Sequence, residues 1–422
     1  MTPSYDVVVV GGGPGGSSAA SFLARGGLRV ALFEREVFPR FHVGESLMPA
    51  TMLLLEQMGV REKVEKSGFQ IKFGAAFYDE GSDLKTTFYF LPDMPWPQYT
   101  FQVPRAEFDT VLLDHARATG VDVTQPANVE DVAFDADGVT VTVEANGVRT
   151  PIRARMLVDA SGRSSFIATR RGERTRIPNL GKVAMFAHFR GAERLSGKEE
   201  GNIRIYIRED GWYWWIPLAD NVTSVGAVVH ARTARGWTGT PEGLFEEMIS
   251  RSKHLPRMLA GAERIMPVRT EANFAYENTP VVGDRFVSVG DAITFVDPIF
   301  SGGVYIALRT GQLAADAALA AFKANDFSAR RFAAYERQCR KGVEPLFKFI
   351  HKYYEPAFID MFMHPQDKFG LYGAVLNVLS GGNWVGTPWR VRLALRLFFL
   401  IARVQTWAWK RSGRSAESRL EW

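Results

Sequence analysis

Short apolar runs alternate with amphipathic stretches along the first part of the chain, in the order strand, helix, strand. Asp6–Val10 is β-branched with no polar alternate, the pattern of a strand buried on both faces of a parallel sheet. Ser17–Arg25 has apolar residues at helical spacing and stops at Gly26-Gly27, and Leu28–Phe33 returns to a strand. An ordered loop is predicted over Val37–Pro49 and a helix over Ala50–Lys66. From Phe73 to Val103 the pattern shortens to aromatic-rich strands. A helix over Ala106–Thr119 then leads to strands near Val121–Thr124, Val139–Val143 and Arg153–Val158. A second β-rich stretch, Val183–His230, includes Ile203–Ile207 and Trp212–Pro217. Strand Arg285–Val289 precedes a helix from about Gly303 to Phe322. Everything beyond Phe327 reads as helical, with breaks at Pro356, Pro365 and Gly381-Gly382.

These elements predict an α/β protein with a Rossmann-type nucleotide-binding domain assembled from residues 1–75, 104–180 and 265–326. A β-rich substrate domain (76–103 and 181–264) is inserted into it, and a helical C-terminal cap (327–422) follows. With 422 residues, 46% hydrophobic and 23% charged, the chain has ample material for a core and is neither disordered nor fibrous. The single cysteine, Cys339, excludes an internal disulfide and a multi-thiolate metal site. The seven histidines include no close ligand pair, so no metal is expected. No signal-peptide core or membrane-length apolar run is present, and the expected address is cytoplasmic.

Gly11-Gly12-Gly13-Pro14-Gly15-Gly16 satisfies G-x-G-x-x-G between a predicted strand and a predicted helix. Gly11, Gly13, Pro14, Gly15 and Gly16 are the candidate pyrophosphate contacts, since the turn brings backbone N–H groups and a helix N-terminus to one anion. Glu34 ends the second strand, where a carboxylate accepts from ribose hydroxyls and favours an unphosphorylated ribose, hence FAD or NAD over NADP.

Further segments resemble the signatures of the para-hydroxybenzoate hydroxylase-like flavoproteins. Arg105 in Pro104-Arg105-Ala106-Glu107-Phe108-Asp109 is similar to that family's arginine before a helix, and Asp159-Ala160-Ser161-Gly162-Arg163 to its D-G motif. Gly290-Asp291-Ala292, followed by Asp297-Pro298, is similar to its G-D motif, whose aspartate meets the flavin ribitol. The resemblance spans residues 5 to about 320 and implies FAD as the cofactor, with Asp159, Asp291 and Pro298 among its contacts.

Within that superfamily, three features resemble the flavin-dependent halogenases. Trp212-Tyr213-Trp214-Trp215-Ile216-Pro217 fits their W-x-W-x-I-P pattern, and strand geometry puts Trp212 and Trp214 on one face with Trp215 opposite. The resemblance implies a bulky partition between flavin and substrate pocket; the same pattern also suits an aromatic core strand. Lys72, in Gly68-Phe69-Gln70-Ile71-Lys72-Phe73-Gly74-Ala75, is an ammonium among apolar neighbours, whose desolvation favours the neutral amine. By context it matches the halogenase lysine that captures or hydrogen-bonds hypohalous acid; by residue type alone it also reads as a snorkelling strand lysine. In Asp297-Pro298-Ile299-Phe300-Ser301-Gly302-Gly303, the N–H groups of Gly302 and Gly303 are the candidate halide site. Phe300 stands where tryptophan halogenases carry a glutamate, which implies a phenol or pyrrole that activates its own ring. The loop Phe38–Pro49 also resembles the halogenase loop, with Arg40 and Ser46 as flavin contacts and His42 and Glu45 as loop-stabilising residues.

The implied activity is an FADH2-dependent halogenation, by chloride or bromide and O2 through a flavin hydroperoxide and hypohalous acid, of an electron-rich aromatic. Lys72, Trp212 and Trp214 are its catalytic candidates. The substrate is a small molecule, free or carrier-protein tethered. No second dinucleotide motif is present, which suggests a separate flavin reductase. A geranylgeranyl-reductase-like enzyme, whose similar strand calls for Tyr at 212 and Phe at 216, is the runner-up. Aromatic hydroxylation and a non-enzymatic flavin-binding docking protein follow.

The net charge of +5 sits at one end. Residues 386–422 carry eight Lys/Arg and two Asp/Glu, leaving 43 − 44 = −1 elsewhere, a distribution that calls for no nucleic acid. Arg392, Arg396, Arg403 and Lys410 form one basic stripe at helical spacing. The favoured expectation is a helix packed on the body with a solvated basic edge, ahead of contact with a carrier protein or a membrane surface.

Overall fold

The computed structural model describes residues 4–177, 181–272, 275–384 and 388–412. Tyr5–Val10 lies at the centre of a sheet, parallel to Val30–Phe33 on one side and to the end of Val148–Asp159 on the other. Asp122–Thr124 and Phe286–Ser288 extend the parallel set at its two edges. Successive residues of the first strand feed opposite cores. Val7 and Val9 pack with helix α1 (Pro14–Arg25), while Val8 and Val10 pack beneath the antiparallel hairpin Asn128–Phe134/Val139–Ala145. Both faces are covered, which is why the run has no polar alternate.

Helix α2 (Gly303–Ala324) crosses α1 at close range. The approach rests on small residues: a Cβ at Gly311 would fall 2.5 Å from the Gly15 carbonyl oxygen, and Ser18 Oγ donates to Leu308 O at 2.8 Å. The stretch predicted as one helix over Ala50–Lys66 is two, Ala50–Met58 and Arg61–Lys66. Gly59 breaks it at φ 82°, a left-handed C-terminal stop.

The second sheet runs in the order Lys182–Arg190, Val222–His230, Gly211–Pro217, Ile203–Arg208, Gly74–Asp79, Leu84–Tyr89. Arg269–Ala272, expected among the nucleotide-binding segments, pairs with Lys182–Arg190 instead. One face carries Phe186, Ile205, Trp212 and Trp214 towards the first domain and the cap. The other carries Met185, Tyr206, Tyr213 and Trp215 against a helix, Pro241–Arg251, in the part of the 181–264 segment beyond the β-rich stretch, where the pattern predicts no element. Burial on both faces accounts for the unbroken aromatic run. Gly226 lies directly across from Trp214 and leaves space for its ring.

The cap consists of α3 (Ala329–Tyr353), α4 (Pro356–Met363), α5 (Leu371–Leu379) and α6 (Trp389–Arg411). Its aromatic side chains reach the second sheet and the turn before α2: Phe362 meets Phe77 of the sheet edge-on at 4.8 Å, and Tyr353 meets Phe300 of the turn at 5.4 Å. Phe398 of α6 stacks on Phe349 and packs edge-on against Phe358. No helix among the described residues is long and apolar enough to cross a membrane.

Candidate active site

A cleft of about 470 Å³ opens at the C-terminal ends of the parallel strands, between the two sheets. That size suits a small-molecule or cofactor site. Its walls bring together Gly11, Gly13, Pro14, Gly15, Glu34, Arg40, Ser46, Arg105, Asp291, Pro298, Gly302, Gly303, Trp212 and Trp214 from well-separated parts of the chain. Gly11 has φ 102°, and a side chain there would place Cβ 2.5 Å from the Ala160 carbonyl oxygen. Only glycine satisfies both conditions. Gly13 caps α1, and Gly13, Pro14 and Gly15 at that helix N-terminus line the cleft, a setting that suits a phosphate group. Glu34 is held in place by accepting from Gly12 N at 2.7 Å and Glu36 N at 2.9 Å.

Two predicted contacts do not line the cleft. Asp159 is fully buried, and its carboxylate accepts from Ser161 N, Ser161 Oγ and Ile167 N, so it shapes the turn after its strand. Gly16 packs against the Gly11 carbonyl, where no side chain fits. In each case the motif marks a backbone requirement of the loop.

Arg40 and Arg105 share one buried carboxylate. Arg105 donates from Nε and Nη2 to Asp109 at 2.8 and 2.9 Å, and Arg40 Nη1 to the same carboxylate at 3.1 Å. Burial pushes the Asp109 pKa up, but the two guanidiniums overcome that and hold it below the ordinary carboxylate range. Asp109 was present in the sequence motif without a role; its i+4 spacing from Arg105 was the signal. Arg105 also donates to Val43 O at 2.8 Å, fixing the Phe38–Pro49 loop. Burial, and then Arg105, push the neighbouring His42 down to about 4, so it is neutral at pH 7. Glu45 pairs instead with His188 Nε2 at 2.7 Å, tying the loop to the Lys182–Arg190 strand of the second sheet.

Lys72 lies outside the main cleft. It borders a separate cavity of about 20 Å³ with Phe77, Phe88, Phe90, Leu376 and Leu379. Four residues line both spaces: Ile203, Ile205, Phe300 and Ser301. The partition nearest the lysine is therefore Phe300-Ser301 with the Ile203/Ile205 strand, whereas Trp212 and Trp214 wall the cleft itself. Trp214 Nε1 donates to Ser224 Oγ at 3.1 Å, and the two indoles lie 5.9 Å apart. The tryptophans stood out because their hexapeptide fits the halogenase W-x-W-x-I-P pattern. Pattern reading missed the isoleucines because nothing distinguishes them from core.

The Lys72 amine donates to Ser46 Oγ and Leu47 O, both at 2.9 Å. Burial pushes its pKa down from 10.5 to about 7. Two acceptors satisfy both N–H bonds of a neutral amine and leave its lone pair available; an ammonium's third N–H would have no oxygen or nitrogen acceptor among the described residues, only the Phe90 ring centred 5.6 Å from Nζ. Ser46, expected at the flavin, thus also holds the lysine.

A second buried lysine was not anticipated. Lys182 Nζ lies 3.3 Å from Asp297 Oδ2 and 3.2 Å from the centre of the Tyr354 ring. Tyr354 Oη donates to the same carboxylate at 2.5 Å, and Ile299 N donates to its other oxygen at 3.1 Å. Burial pushes Lys182 down to about 8 against the opposing pull of Asp297. Asp297 therefore ties the Pro298–Gly303 turn to the second sheet and to the end of α3. Within that turn Ser301 has φ 58° and α2 begins at Gly303. The N–H groups of Gly302 and Gly303 accordingly sit at the open end of a 22-residue helix.

The chemistry of the cleft fits FAD. The Asp291 carboxylate borders it with no hydrogen-bond partner among the described residues, and burial pushes its pKa up to about 6. Hydroxyl donors of a ribitol chain would satisfy it. Among the described residues no cluster of His, Cys, Asp and Glu suits a metal ion.

Residues 4–349 match the FAD binding domain family. The chain is 38% identical, over 83% of each sequence, to a 1H-pyrrole-2-carbonyl-[peptidyl-carrier protein] chlorinase of Pseudomonas fluorescens. It is 32% identical to a 1H-pyrrole-2-carbonyl-[peptidyl-carrier protein] brominase of Pseudoalteromonas luteoviolacea, covering 93% of this chain and 96% of that one. Among solved structures, a flavoprotein/dehydrogenase from Cytophaga hutchinsonii superposes with a TM-score of 0.87 at 30% identity, covering 96% of this chain and 99% of that chain. The chain belongs to the flavin-dependent halogenases, enzymes built on the FAD binding domain fold. Its cofactor is FAD and its reaction the halogenation of an aromatic substrate.

Proposed function

We propose that Lys72 carries or positions the electrophilic halogen in this reaction, and that the substrate is an electron-rich pyrrolyl or phenolic ring. The observation behind this is the Lys72 amine, buried, with both N–H bonds engaged, separated from the flavin cleft by Phe300 and Ser301. Reduced FAD, when bound, supplies with O2 the two-electron oxidation of halide to hypohalous acid. Gly302 and Gly303 N–H groups hold the halide, and Trp212 and Trp214 close the cleft wall. Hypohalous acid then reaches Lys72. An N–halogen bond forms as an N–H breaks and water leaves, or the amine holds the acid by hydrogen bonding. The aromatic carbon takes the halogen and loses its proton. Among the described residues no carboxylate lines the Lys72 cavity, so the ring supplies its own activation.

The pyrrole-2-carbonyl-[peptidyl-carrier protein] in the name of the 38% identical relative makes a carrier-bound pyrrole the first substrate to test. A separate reductase would deliver reduced flavin, in keeping with the single dinucleotide motif. The assay combines FAD, a flavin reductase, NADH, bromide and a panel of pyrroles and phenols, free and carrier-bound. A bromine isotope doublet in the product is expected. Lys72→Ala should keep FAD binding and peroxide formation while losing halogenation; normal halogenation by that variant overturns the assignment.

A further inference from the structure

Helix α6 has two apolar faces. Ala394, Leu395, Phe398 and Ala402 are buried against the cap. On the opposite side Trp389, Leu393, Leu400, Val404 and Trp407 are 51–64% exposed. At 100° per residue these five fall within a sector of about 60°, and the stripe runs about 27 Å from Trp389 to Trp407. Arg392, Arg396, Arg403 and Lys410 line one edge of it. The apolar residues of the helix thus divide between two sides: Phe398 faces inward, while Leu393, Leu400, Val404 and Trp407 share the outer side with the charges. Arg390 lies over the Trp389 ring and Arg411 over the Trp407 ring, one at each end.

We propose that this outer face docks the enzyme on an anionic lipid bilayer. The helix from Trp389 to Arg411 contains no Asp or Glu, and none of its six cations makes an ion pair among the described residues. A cationic, apolar, tryptophan-ended stripe matches a flat anionic surface, with the helix lying in the interface plane. Two other occupants fit less well. A second copy packed face to face would set arginine rows together without a carboxylate between them. A substrate-bearing acidic carrier belongs near Lys72, yet the stripe points away from the Phe349 and Phe358 rings through which α6 contacts the cap. Five apolar side chains give only marginal anchoring, so the cations set both affinity and its salt dependence.

The test is co-sedimentation of the full chain with phosphatidylcholine vesicles, with and without phosphatidylglycerol. Preferential binding to anionic vesicles at about 0.1 M salt is expected, falling at least tenfold at about 0.5 M. Arg396→Glu with Arg403→Glu should reduce binding at least tenfold, and Leu400→Asn with Trp407→Asn should also reduce it. All four positions are exposed, so FAD content and halogenation of a soluble substrate should match the parent in both variants. Equal sedimentation with neutral and anionic vesicles, or undiminished binding by the charge-reversed variant, overturns the proposal. So does a dimer in light scattering that Leu400→Asn dissolves, or capture of an acidic carrier protein that the charge reversal abolishes while vesicle binding persists.

Discussion

Lys72 shows how much a site depends on what surrounds one atom. Its folded pKa, about 7 against an ordinary 10.5, means that the unfolded chain binds more protons between those values. Stability therefore rises with pH across that window, and the cost of burying the lysine is fully present below about pH 7. Lys72→Met should gain on the parent most near pH 7, with the difference shrinking towards pH 10.5 in denaturant titrations. If the neutral amine is the working form, halogenation should climb through about pH 7 while peroxide formation does not follow it. Lys182 makes the complementary case. Lys182→Met leaves a buried Asp297 carboxylate without its cation, a loss of about 3–5 kcal/mol. Adding Asp297→Asn should recover part of it, a coupling that a double-mutant cycle measures. Because Asp297 braces the Gly302–Gly303 turn, Lys182→Met should raise the halide KM more than it weakens FAD.

Elements explain why these residues meet. The first strand and α1 follow from local rules: a β-branched run, a glycine turn, small residues facing α2. Gly11→Ala conflicts with both the φ of 102° and the Ala160 carbonyl, so loss of bound flavin is expected from its absorbance spectrum. The Trp212–Pro217 strand was legible as a strand with alternating faces. Which face met the cleft followed from the family resemblance and not from the pattern, since both are buried and periodicity cannot tell one core from another. The two helices in place of one at Ala50–Lys66 depend on Gly59 adopting a left-handed stop, which a glycine permits without requiring. The Arg269–Ala272 pairing spans a gap in sequence that carries no register information. For α6, helical spacing predicted an amphipathic helix, but its apolar residues outnumber the positions that one face against the cap can bury.

At the scale of the molecule, the FAD cleft couples both sheets and the start of α2, so filling it should stabilise all three together. Saturation at 100 times Kd contributes about 2.7 kcal/mol, visible as a rise in Tm when FAD is added to stripped enzyme. The sequence by itself determined the order of elements, the dinucleotide turn, the cofactor class through its motifs and the lysine's apolar setting. Those are local properties, decided by spacing, backbone freedom and residue type. Only the tertiary structure decided that Lys72 has its own cavity behind Phe300 and that Asp159 stays inside its loop. The same holds for Lys182 and Tyr354 converging on Asp297, and for the side of α6 left to solvent. Each depends on contacts between residues far apart in the chain, and burial and charge partners become defined only when those segments pack.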